Sequence, residues 1–199
     1  MESAAADTEE TREAILNAAQ ERFRQVGYSK TTMAEIAKDC SMSAANLYRY
    51  FENKLDIGTS LACQCLGRKV DAMKTVVARK DRPAAERLAG FIQAAFQHTH
   101  EQITAQPRIH EMVEAVCLQQ QPMVHEHQAA KQAVLEELLR DGVAAGEFSV
   151  DDPGKTAAAI LAAMTLFEVP IFWHLYEHQH LVELAEGTTR LILRGVLTR

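Results

Sequence analysis

Asn46 and Arg49 are the side chains with the most directed chemistry in this chain. An asparagine amide can pair bidentately with an adenine edge, and an arginine guanidinium can reach a guanine or a phosphate. The two stand three residues apart, about one helical turn, in a segment that opens at Ser43. Ala44 and Ala45 are small, so such a helix can approach a base closely and touch a thymine methyl. Tyr48 and Tyr50 can each give a hydroxyl to a phosphate oxygen while the ring packs. Thr32 and Lys54 stand at helix starts, where free backbone N–H groups favour a phosphate. The candidate DNA-contact set is therefore Thr32, Met33, Ser43, Ala44, Ala45, Asn46, Tyr48, Arg49, Tyr50 and Lys54.

Other chemistry lacks its parts. No G-x-S-x-G, P-loop or dinucleotide fingerprint is present, so no catalytic residue is assigned and no cofactor is expected. Glu111 and Glu114 share a helical face, which solvation explains. All eight histidines lie beyond residue 97. His174 and His178, four apart, could share a metal, but two ligands alone do not close a site, and no metal is expected. Cys40, Cys63, Cys65 and Cys117 have no metal-ligand spacing and read as small buried hydrophobes; on a helix Cys63 and Cys65 point to different faces.

The 199 residues carry a net charge of −6, with 47 % hydrophobic and 24 % charged residues, as in an ordinary globular protein. The charge alone does not point to nucleic acid. From Glu21 to Lys54, six cations (Arg22, Arg24, Lys30, Lys38, Arg49, Lys54) face four anions (Glu21, Glu35, Asp39, Glu52), an excess of only +2. The case for DNA rests on pattern. No run of about 18 apolar residues is present and Met1–Glu10 lacks the apolar core of a signal peptide, so a cytoplasmic protein without a membrane span is expected.

The elements that must hold these residues read as helices throughout: alanine, leucine, glutamate and glutamine dominate with apolar spacing of three and four. An all-α chain of about nine helices is expected. The first runs from about Thr8, behind an Asp7/Glu10 capping box, to Val26, buries Ile15, Ala18, Ala19, Phe23 and Val26, and stops at Gly27. The second starts at the Thr32–Glu35 capping box and ends near Asp39. The third starts at Ser43 and runs to Phe51, with Leu47 and Phe51 as inward anchors. Asn53 opens a fourth, reaching about Arg79. Pro83, Pro107, Pro122 and Pro153 mark later starts, and Asp141–Gly146 is a stop. Two short helices joined by three or four residues, after a longer one, make a helix-turn-helix, whose second helix enters the major groove.

Thr31–Lys38, Ser43, Leu47-Tyr48-Arg49-Tyr50-Phe51 and Lys54, preceded by Thr11–Leu16, Phe23 and Gly27, resemble the TetR family of repressors. That resemblance implies a DNA-binding domain over residues 9–69 and a helical effector-binding and dimerisation domain over 70–199. It also implies a homodimer on a double-stranded operator, repressing until a small-molecule effector releases it. Ser41 stands where the family usually has glycine, and Ala45 replaces another frequent glycine or small residue. Leu138-Leu139, Gly142, Gly146, Phe148 and Asp152-Pro153 have a spacing common in the family. Ala158, Ala162, Leu166, Leu184, Thr188, Leu191 and Gly195 are the expected dimer face. Met73, Phe91, Met112, Cys117, Met164, Phe167 and Trp173 are the expected pocket lining, suited to an apolar or aromatic effector. The rival reading is a helical binding module without DNA function.

Overall fold

The computed structural model describes residues 2–168, 173 and 175–198. Within them lie ten helices: α1 (Glu2–Val26), α2 (Met33–Asp39), α3 (Ala44–Leu47), α4 (Lys54–Val77), α5 (Ala84–Ala105), α6 (Pro107–Cys117), α7 (Gln121–Ala144), α8 (Pro153–Ala163), α9 (Thr165–Glu168) and α10 (His178–Val196). The expected all-α class holds, and among the described residues the only β interaction is an isolated bridge between Phe148 and Leu197. Among the described residues no helix is long and apolar enough to cross a membrane. The chain forms two compact units, Met1–Leu66 with Thr104–Val124, and Gly67–Ile103 with His125–Arg199.

In the first unit α1 is longer than expected. It begins at Glu2 rather than Thr8, so Asp7 is an interior residue and its carbonyl accepts a bond from Thr11 Oγ1 at 2.9 Å. The alanine-rich Ser3–Ala6 run favours helix and contains no breaker, so the Asp7/Glu10 box has no helix start to cap. Ile15, Leu16, Ala19 and Phe23 form the buried stripe, whereas Val26, in the last turn, is 40 % exposed. Gly27 ends the helix with φ +97 and donates to the Phe23 carbonyl at 2.9 Å. Arg108 of α6 bonds the freed carbonyl of Gln25. Phe23, Ile36, Leu47, Phe51, Ile57, Leu61, Ile109, Met112 and Val116 close one core from α1, α2, α3, α4 and α6. At Gly58 a Cβ would lie 2.9 Å from Val116, so only glycine lets these two elements meet this closely.

The α2–α3 turn carries the one strained non-glycine backbone among the described residues. Ser41 has φ +55. Its N–H bonds the Lys38 carbonyl at 3.0 Å and the Met42 N–H bonds the Ala37 carbonyl at 3.0 Å, a Schellman closure with serine at the position that glycine usually fills. The glycine missing from this turn is thus felt as a left-handed serine.

The second unit buries Met73, Leu88, Phe91, Leu135, Leu138, Leu139, Ala157, Ile160, Met164 and Leu181. Pro83 precedes α5, and the Glu147 carboxylate accepts the Ala84 and Ala85 N–H groups at 3.0 and 3.2 Å, a negative charge at a helix N-terminus. Asp152 caps α8 through the Lys155 N–H at 3.0 Å, with Pro153 at the first position as expected. The alanine-rich helix stops at Met164, and the four-residue α9 follows as a separate turn, which raises the count above nine. Gly146, at φ +72, repeats the Schellman closure at the end of α7. Cys65 is buried and Cys63 exposed, as residues on different helical faces must be.

Two substitutions test this description by urea-induced unfolding. A Cβ at position 142 would lie 2.1 Å from the Phe148 ring. Gly142→Ala should therefore cost about 2–3 kcal/mol, the range of an overpacked core. A left-handed residue costs about 1–2 kcal/mol and glycine returns about 0.5–1 of this as chain entropy. Ser41→Gly should therefore stabilise by up to about 1 kcal/mol, and an unchanged or lowered midpoint would contradict the strain.

Candidate nucleic-acid interface and effector cleft

The reading helix is built from its cap outward. Ser43 is extended (φ −72, ψ 153) and its Oγ accepts the Asn46 N–H at 3.2 Å, which starts α3. Regular α-helix ends at Leu47 rather than continuing to Phe51. The next turn tightens: Arg49 N–H bonds the Asn46 carbonyl at 3.1 Å and Tyr50 N–H bonds the Leu47 carbonyl at 3.0 Å. Arg12 of α1 accounts for the change. Its guanidinium donates to the Tyr50 carbonyl and lies 4.2 Å over the Phe51 ring, drawing this end of the segment onto α1. Leu47 and Phe51 are buried, as their spacing predicted.

That anchoring sets what faces outward. Ser43, Ala45, Tyr48 and Arg49 are exposed, Tyr48 by 53 %. Ala44 and Tyr50 are half-buried and pack against the core. Asn46 is half-buried, with its amide 4.0 Å from the Met42 sulfur. Thr32 is exposed, but its hydroxyl is committed: Oγ1 donates to Glu35 at 2.8 Å and accepts the Glu35 N–H at 3.3 Å, while the Thr32 N–H reaches the same carboxylate at 2.8 Å. These bonds, the Thr32 hydroxyl first, hold the Glu35 carboxyl below its ordinary range. Met33 is 9 % exposed and belongs to the core, so its side chain is withdrawn from the surface that sequence reasoning gave it.

Lys54, the expected phosphate anchor, is engaged within the unit. Its ammonium donates to the carbonyls of Tyr28 and Thr31, each at 2.8 Å, and lies 4.6 Å over the Tyr28 ring. Burial lowers its pKa. All its reach is spent on the Tyr28–Thr31 turn that feeds α2. Arg22 ties α1 to α2 by a two-pronged bond to Asp39, the longer arm 2.9 Å, and by Glu35 at 3.4 Å. Those bonds hold the Asp39 carboxyl below its usual range. Sequence reasoning missed Arg12, Arg22 and Asp39 as braces. Their partners are distant in sequence, and only the opposite charges of Arg22 and Asp39 signalled a pair. Lys30, exposed two residues before Thr32, is a further free-facing cation.

In the second unit the expected lining is divided. Met73, Phe91, Met164 and Phe167 are buried in this unit's core, and Trp173 packs on its edge with its indole N–H bonded to the Phe167 carbonyl at 3.1 Å. Met112 and Cys117 belong to the first unit's core instead, because α6 packs there. An open cleft of about 620 Å³ lies between α5 and α10. Ile92, Phe96, Val182 and Ala185 give it an apolar floor, and Gln93, Glu101, Glu186 and Arg190 a polar rim. At one end Phe96 meets Trp173 with centroids 5.1 Å apart, and the rings of His100 and His178 stack at 4.1 Å. Burial and the neighbouring His178 lower the His100 pKa. His174 lies outside the described residues, and among those described no group of three His, Cys, Asp or Glu could hold a metal.

Behind Phe96 the core holds charge. Lys69 and Lys131 are 6 % and 2 % exposed. Both face Glu168: Lys131 bonds Oε2 directly and the Lys69 nitrogen is 3.8 Å from it. Lys69 also donates to Thr99 Oγ1 at 3.0 Å. Burial pushes the Lys69 ammonium down to about 8, and burial with the two lysines pushes His127 down to about 4.

Of the expected dimer face, Ala158, Ala162, Leu191 and Gly195 are exposed, Leu191 by 70 %, and Leu166, Leu184 and Thr188 are half-buried.

Comparison with known proteins completes the picture. Residues 15–57 match the model of bacterial regulatory proteins of the tetR family, and residues 84–196 match that of the tetracyclin repressor-like C-terminal domain. The fatty acid metabolism regulator protein of Bacillus subtilis (strain 168) is 24 % identical over 188 residues, 92 % of this chain and 93 % of that one. The HTH-type transcriptional repressor BepR of Brucella suis biovar 1 (strain 1330) is 43 % identical over 56 residues, 28 % of this chain and 27 % of that one. The crystal structure of the regulator FadR from Bacillus subtilis in complex with stearoyl-CoA superposes with a TM-score of 0.65 at 21 % identity, over 92 % of this chain and 97 % of that one. With 84–196, more than half of the chain, matched by one model and 15–57 by the other, this chain belongs to the TetR family of transcriptional regulators.

Proposed function

We propose that this protein is an operator-binding repressor, acting as a homodimer and released when a small molecule with an apolar or aromatic body occupies the α5–α10 cleft. Residues 9–69 carry the DNA contacts in this reading, and residues 70–199 the effector and dimer surfaces. The observation that carries it is the outward row of Ser43, Ala45, Tyr48 and Arg49 over the buried anchors Leu47 and Phe51. A reading helix needs that arrangement, since bases are met by its first turns. Small residues at the front admit the backbone to the groove, and Arg49 supplies the directed donor. The exposed alanines of α8 and the exposed Leu191 of α10 supply a face for the second copy, which a two-fold site requires. The stearoyl-CoA bound by the Bacillus subtilis FadR supports an effector with a long apolar part, for which the cleft floor is suited.

A gel-shift assay on the DNA upstream of the protein's own gene tests the reading: a specific, salt-sensitive complex is expected, and none at any tested site would sink it. Arg49→Ala should weaken that complex by about 10- to 100-fold, the worth of a directed base or phosphate contact, and Tyr48→Ala by less. Both side chains are exposed, so thermal unfolding should be unchanged within about 0.5 kcal/mol. Coupling is reciprocal: an effector that lowers operator affinity by a given factor should itself bind the operator complex more weakly by the same factor, as titrations of free and DNA-bound protein would read.

A further inference from the structure

The cluster behind the cleft does not balance. Two ammonium groups bring three N–H donors each. The described residues offer them Thr99 Oγ1, whose own proton goes to the Ala95 carbonyl at 3.0 Å, and Glu168 Oε2. Glu168 Oε1 is buried and has no hydrogen-bond partner among the described residues. The core therefore holds, side by side, an ammonium with donors to spare and a carboxylate oxygen short of one. One oxygen atom that both accepts and donates would satisfy both. The nearest elements say what such an oxygen is attached to. Glu168 follows Phe167, whose ring stands edge-on to Phe96 at 6.2 Å, and Phe96 is both a floor residue of the cleft and a neighbour of the Trp173 indole. A flat body in the cleft would meet aromatic faces on the way to the polar pair.

We propose that the Lys69–Lys131–Glu168 cluster is the recognition site for the hydroxyl of a hydroxyaromatic effector, whose ring lies against Phe96 and Trp173. The effector oxygen accepts from Lys69 Nζ and its proton is donated to Glu168 Oε1. This rests on the effector-released reading above and names the ligand class for it. The groups facing the site are Glu168, Lys69, Lys131 and His127, with His98 beyond His127.

The probes are 2-naphthol, 2-methoxynaphthalene, which keeps the ring and lacks the O–H, and 2-naphthoate, which brings an anion without a donor. Calorimetric titration at pH 7 should find 2-naphthol bound at least about tenfold more tightly than the ether, as a site with unpaired buried groups rejects an analogue that lacks the hydrogen bond. Lys69→Met keeps the Lys131–Glu168 pair and should reduce the preference for naphthol over ether to below about threefold. Equal binding of naphthol and ether, tighter binding of naphthoate than of naphthol, no binding of any probe, or a preference that survives Lys69→Met would each overturn the proposal. The ligand comparison in the unaltered protein stands whether or not the variant folds. A gel shift on the same preparation separates the two readings: naphthol selectivity without operator binding sinks the repressor reading and leaves this site intact.

Discussion

A helix of four residues has no stability of its own, because nucleation fixes more backbone than its few hydrogen bonds repay. The direction in which α3 presents Arg49 is therefore set from outside. Leu47 and Phe51 hold it to the core, Arg12 holds the carbonyl of Tyr50, and the Schellman closure at Ser41 sets its angle to α2. Lys54 fixes the entry to α2 by collecting the carbonyls of Tyr28 and Thr31, and Arg22 locks α1 to α2 through Asp39. Cationic side chains that a charge count assigns to DNA are here the mortar of the domain. In the proposed reading, the surface offered to a groove is what remains after those bonds are made.

The second unit is organised by the opposite problem, a polar group placed where water cannot reach. A buried ion pair contributes little to stability, and removing one partner is costly. Lys69, Lys131 and Glu168 are buried in the unit whose core holds Phe167, Met73 and Leu135. Buried, charge-perturbed groups of this kind are where binding sites are sought. In the proposed reading they add a directed polar contact to the apolar floor of the cleft, the usual composition of a small-molecule site.

What was legible in the sequence follows from the range of each interaction. The Thr32–Glu35 box, the Ser43 cap and the Asp152-Pro153 start are complete within four residues and stand where pattern put them. Leu47 and Phe51 were legible through their spacing alone. The Asp7/Glu10 box was a local pattern without a helix start, because the alanine-rich stretch before it is helical as well. The bonds of Lys54 were not legible because its partners lie 23 and 26 residues back. Met112 and Cys117 were grouped with the wrong core because α6 returns to the first unit from the middle of the chain. The Lys131–Glu168 contact spans 37 residues, and no composition or period announces it.

The inward turn of Lys54 reaches beyond the domain it braces. With that ammonium engaged on the Tyr28–Thr31 turn, the exposed cations between Glu21 and Lys54 are Arg24, Lys30, Lys38 and Arg49. Non-specific association is almost wholly a matter of counterions released by such charges. In the proposed operator-binding reading, each of them adds to the hold on DNA of any sequence, while Lys54 spends its charge inside the domain.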